Sequence, residues 1–112
     1  MTYKEIKNLI ASIGLDYTYY SFPVDKAPPL PYIVFFFPDY NDLGADNINY
    51  QIIASLNIEL YTENKDFVLE KQIENVLTAH DLYFVKRETY LESENMYMVL
   101  YEIDIVIGEE NG

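Results

Sequence analysis

The side chains best placed to do chemistry in this sequence are the carboxylates that follow an aromatic run, in "PYIVFFFPDYNDLGADNINY" at residues 31–50. Asp39, Asn41 and Gly44 partly echo a calcium loop, with Asp42 and Asp46 adding further oxygens. Counted from Asp39, however, the fifth position is Leu43, where an oxygen ligand is needed, and the twelfth is Tyr50, where a bidentate glutamate is needed. An EF-hand is excluded. A loose divalent-ion contact shared between subunits stands as the metal alternative, beside the plainer reading of a solvated acidic loop.

No other constellation fares better. His80 is the one histidine and the chain has no cysteine, so thiolate catalysis and cysteine-based zinc or iron-sulfur sites are excluded. Placed near the end of a helix, His80 reads as a terminal residue complementing the macrodipole. The serines lack a G-x-S-x-G setting, and scattered glycines make no phosphate cradle. The expectation is a protein that is no enzyme and holds no cofactor and no resident metal.

The elements that must position these residues follow from pattern. A chain of 112 residues that is 50% hydrophobic and carries twelve tyrosines and six phenylalanines has the size and apolar content of one domain, residues 1–112. Thr2 and Glu5 form a capping box, and Tyr3, Ile6, Leu9, Ile10 and Ile13 recur at helical spacing, with Gly14 as the stop. Residues 17–22, "YTYYSF", suit a strand, and "PVDKAPPLP" breaks it. Residues 32–37 are a strand apolar on both faces, and residues 39–46 are the connector to a long strand beginning at Tyr50, whose even positions should line the core.

A second helix follows in "TENKDFVLEKQIENVLTAH", with Thr62 or Asn64 as its cap. Residues 83–91 and 96–107 form a hairpin about the turn "ESEN". This order predicts an α+β fold: a mostly antiparallel sheet of four to five strands with two helices packed on one face. Two helices cover one face only, yet Tyr32, Met96 and Met98 belong to strand segments that are apolar on both. The surplus marks a protein contact surface.

Charge sets the partners. Nineteen acidic against seven basic side chains give a net charge of −12, and Arg87 is the only arginine, which excludes an electrostatic grip on phosphates. The first residues lack the succession of a signal peptide, and no apolar run approaches the length of a membrane span. A soluble protein that is not exported by a signal, with no membrane partner, is expected.

The series of features resembles the tail completion, or tail terminator, proteins of long-tailed phages and prophages, minor tail proteins of the virion. The similar parts are the early helix, "YYSFPVDKAPPLPYIVFFFP", "ADNINYQ", "IELYTENKD" and the closing "YMVLYEIDI". The resemblance implies a tail-terminator-like domain that forms a homo-oligomeric ring, typically a hexamer, on the head-proximal end of the tail tube. There it would stop tube growth and take part in the head-tail interface.

Its implied partners are itself, the tail tube protein, the head connector protein, and DNA that passes through without tight binding. The implied locations are the virion tail and, during assembly, the host cytoplasm. Pro28, Pro31 and the segment bearing Asp39, Asp42 and Asp46 fall in the family's subunit-contact regions. The acidic balance fits a channel wall that repels the phosphate backbone. It fits equally a small acidic inhibitor or immunity-type protein that masks a basic partner site.

Overall fold

The computed structural model describes residues 1–43 and 51–108, the side chains of 40–43, 51 and 52 excepted. Helix α1 (Tyr3–Ser12) starts with the expected capping box: Thr2 Oγ1 accepts from the Glu5 amide at 3.1 Å, and the Glu5 carboxylate accepts from the Thr2 amide at 3.2 Å. After it, Gly14 takes φ +89, a left-handed turn that an L side chain resists. The strands are β1 (Asp16–Tyr19), β2 (Tyr32–Leu43), β3 (Gln51–Thr62), β4 (Val85–Leu91) and β5 (Met96–Ile107), with helix α2 (Phe67–Ala79) between β3 and β4.

They make one five-stranded sheet in the order β1-β2-β3-β5-β4, antiparallel throughout except for the parallel pair β1 and β2. The fold is α+β, as the sequence pattern predicts. Its core lies on one face only. Ile33, Phe35 and Phe37 of β2, the even positions 54 to 60 of β3 and the odd positions 99 to 107 of β5 join Ile6, Leu9 and Ile10 of α1 and Leu69, Ile73 and Leu77 of α2 in a single buried cluster. Both helices therefore pack on the same side.

Several boundaries differ from expectation. β1 stops at Tyr19 because Tyr20 turns to φ +68, outside the range of a strand. β4 begins at Val85, two residues late. The cap of α2 is Asp66, whose carboxylate accepts from the Leu69 amide at 2.9 Å; Thr62 is still paired with Tyr97 in the sheet and cannot serve.

The largest correction concerns residues 39–43, which are not a connector but the second half of β2, paired with residues 51–55. Phe36 pairs with Asn57 and Asp39 with Ser55, so Phe37 and Pro38 together oppose Leu56. Proline, lacking an N–H, sits in this bulge without loss of a ladder bond. The extra residue reverses the alternation after the bulge. Phe37 stays in the core, and Asp39, which strict alternation would bury, turns to the opposite face. Asp46 and the predicted strand start at Tyr50 lie outside the described residues, as does the side chain of Asp42.

Ile58 is fully buried on the central strand, between Phe35 and Tyr101. Ile58→Ala should lower the stability by roughly 2–5 kcal/mol, read from urea unfolding midpoints at unchanged slope.

Candidate assembly interface

Among the described residues, one charged side chain is buried, Glu70, and it lies on the helix side. Glu70 is 2% exposed, and its carboxylate pairs with Lys65 Nζ at 2.6 Å and with Lys86 Nζ at 2.8 Å. Lys65 also pairs with Glu88, Lys86 reaches Glu74 at 2.8 Å, and the Tyr101 hydroxyl donates to Glu74 at 2.8 Å. Buried carboxylates next to lysines are where acid-base chemistry is sought. Here each charge is turned on its counter-ion, and the cluster ties α2 to the exposed edge strand β4.

Partial burial pushes the Glu74 carboxyl up, but hydrogen bonds from Lys86 and Tyr101 and the Lys86 charge outweigh it and hold the group below its ordinary value of 4.5. Burial likewise pushes Lys86 down, and bonds to Glu70 and Glu74 more than reverse this, leaving it above 10.5. Lys65 is raised in the same way by Glu70 and Glu88. Burial, with the bond to Glu74, also raises the Tyr101 phenol.

The other candidates for chemistry are apart. His80 ends α2 with Nδ1 2.9 Å from the Val76 carbonyl, Ser12 Oγ donates to the Leu9 carbonyl at 2.6 Å, and Ser55 Oγ donates to Asp104 at 3.2 Å. Among the described residues no three His, Asp or Glu side chains converge as metal ligands.

The face of the sheet away from the helices is divided along the strands. At one end, cross-strand neighbours set Tyr32 beside Tyr61, Tyr61 beside Met98, and Met96 beside Leu91. In the middle lie Val34, Glu59, Leu100 and Arg87 in one row. At the other end Asp39, Ser55 and Asp104 form a polar row, next to Phe36, Asn57 and Glu102. Arg87 is ion-paired to Glu102 across β4 and β5.

Residues 20–31, the link between the two parallel strands, cover part of the apolar end. Phe22 packs edge-on to Tyr32 at 5.0 Å, Tyr20 to Phe36 at 5.7 Å, and Val34, on the helix-free face, is only 6% exposed. The strap is short, so beside it an open cleft of about 450 Å³ remains, lined by Phe22, Val24, Tyr32, Tyr61, Glu94 and Met96 among others. The tip residue Val24 is 87% exposed.

The sequence-selected residues thus divide. Tyr32 and Met96 meet in the cleft, and Met98 adjoins Tyr61 and is half-buried. Pro31 is exposed and Pro28 half-buried on the strap, with the Leu30–Pro31 bond cis. Asp39 is exposed at the far, acidic end of the same face, so the structure does not bring it to the others. Phe22, Tyr61 and Glu94 were not selected, although the period-two pattern already places Tyr61 opposite the core. A second aromatic hollow, of about 380 Å³, lies on the helix side between α1 and the β1 edge, lined by Tyr3, Lys7, Tyr17, Tyr19 and Phe37 among others. It was also missed, because Tyr3 reads as a helix-face residue and its contact with Phe37 is long-range.

The architecture is that of a small α+β domain in which, among the described residues, one sheet face carries both helices and the other is covered only in part, by the strap. No protein-family model matches the chain, and no curated protein matches its sequence. Its fold is similar to that of a solved chain from the "Virion of native gene transfer agent (GTA) particle", with a TM-score of 0.57, 96% of this chain and 91% of that chain covered, and 15% identity. At that identity the likeness is one of fold.

Glu74, Lys65 and Lys86 of the Glu70 cluster each contribute to the response to pH. Because Glu74 is held low when folded, its contribution is present above pH 4.5 and is lost as pH falls through the lowered value. The contributions of Lys65 and Lys86, held high, are present below pH 10.5 and are lost as pH rises through the raised values. Glu74→Gln should therefore flatten the acid limb of the stability profile relative to wild type and leave less difference below it, measured as urea midpoints from pH 3 to 8.

Proposed function

We propose that this chain is a structural protein of a phage-like virion that acts as a tail terminator. It assembles as a ring, a hexamer by the family resemblance, on the head-proximal end of the tail tube, stops tube growth and contributes to the head-tail interface. It performs no catalysis. Its partners are neighbouring copies, the tail tube protein and the head connector protein, and its location is the virion tail, reached from the host cytoplasm during assembly.

The observation that carries this reading is the half-covered sheet face, with Tyr32, Tyr61, Met96, Met98 and Leu100 half-buried rather than sealed, in a fold shared over nearly the whole chain with a virion component. Exposed apolar surface of this kind marks protein contacts. Heterologous contacts that close make rings. The acidic end of the face, with Asp39 and Asp104, suits a wall past which DNA slides without being held.

The net charge of −12 also favours a second reading, an acidic inhibitor or immunity-type protein that masks a basic partner site. Self-association separates the two. Electron microscopy of the purified protein, alone and with tail tubes, should show rings free or capping tube ends, and Met98→Lys should abolish them while leaving a folded monomer. A wild-type protein that stays monomeric at every concentration and leaves tube ends bare would contradict the terminator reading.

A further inference from the structure

The cleft beside the strap has a chemistry that apolar contact alone does not explain. Of the four rings that line it, three follow in succession: Phe22 and Tyr32 at 5.0 Å with planes at 78°, then Tyr32 and Tyr61 at 5.2 Å with planes at 36°. The Tyr61 hydroxyl donates to Glu59 at 2.9 Å, which fixes the ring's orientation and sets a carboxylate behind it. The charged lining residues are Asp25 and Glu94, and no lysine or arginine is among the lining residues. Burial first, and then the negative charge of Glu94, push the Tyr32 phenol above its ordinary value.

From this geometry we infer that the cleft receives an arginine side chain from a basic partner protein. A cation over tyrosine and phenylalanine faces is attracted by their ring quadrupoles. A planar guanidinium can stack on such rings while its N–H fork reaches a carboxylate, which an ammonium cannot do as well. Glu94, in the turn between β4 and β5 at the cleft's rim, is the acceptor, and Met96 forms an apolar wall for the arginine stem.

The occupant comes from outside this copy, whose one arginine, Arg87, pairs with Glu102 across β4 and β5, and the net charge of −12 favours a basic partner over a second copy of the chain. This goes beyond the ring reading, since the pocket exists within one copy. It names the chemistry of a contact that the terminator role leaves open.

The test is two-dimensional NMR of the full chain, titrated with acetyl-Gly-Arg-Gly-amide and separately with its citrulline counterpart, which keeps the shape and lacks the charge. The arginine peptide should shift the ring resonances of Phe22, Tyr32 and Tyr61 saturably, and bind roughly tenfold more tightly than the citrulline peptide. Glu94→Gln, at an exposed turn position, should leave the spectrum of the free protein otherwise unchanged and weaken the arginine peptide several-fold. Equal binding of the two peptides, which would make the cleft a merely apolar one, overturns the proposal. So does the lack of any saturable shift up to about 50 mM peptide, or an unaltered affinity in Glu94→Gln. None of these outcomes bears on whether the protein forms rings.

Discussion

A five-stranded sheet has two faces, and this chain supplies two helices that both bury their apolar stripes on the same one. The organisation of the opposite face follows from what is left over. Side chains on β2, β3 and β5 point alternately to either side, so long strands with tyrosine, methionine and leucine at the outward positions leave apolar surface that no regular element among the described residues covers. The parallel pairing of β1 with β2 supplies a partial remedy. Its return link, residues 20–31, must cross the sheet end, and it crosses on the helix-free side, where Phe22 and Tyr20 pack edge-on against Tyr32 and Phe36.

Two local devices hold this arrangement. On the covered side, buried Glu70 with Lys65 and Lys86 fixes α2 to β4, an edge strand whose residues are otherwise exposed and which has little burial of its own to keep it in place. Charged side chains on that strand also discourage pairing with a stray strand. On the open side, the Phe37-Pro38 bulge re-aims β2, so that its first half feeds the core and its second half carries Asp39 outward. One strand thereby serves the core and the acidic end of the exposed face. The bulge thus adds Asp39 to an end of the face that Glu102 and Asp104 of β5 already make acidic.

Much of the architecture is legible in local sequence. The capping box at Thr2, the stop at Gly14, the period of two from Ala54 to Leu60 and the turn at "ESEN" each depend on neighbours a few residues away, and each is found. What escapes is set by contacts distant in the chain. Asp39 looks like a loop residue because acidic and amide side chains disfavour strands, yet pairing with β3 overrides that preference. Tyr32, Met96 and Met98 are recognisable as apolar residues too many for one core. Phe22 and Glu94 become their neighbours only when the strap folds over the sheet and the β4–β5 turn comes beside it, and no spacing in the sequence carries that information.

The surface proposed to join this protein to its neighbours is the helix-free face. Hydroxyl-radical footprinting of the free and the assembled protein tests it most directly, since Met96, Met98, Tyr32 and Tyr61 are reactive reporters on that face, while Phe67 and Tyr83, 72% and 91% exposed, report from elsewhere. The account predicts strong protection of the four face residues on assembly. Unchanged reactivity there, with protection instead confined to Phe67 or Tyr83, would contradict it.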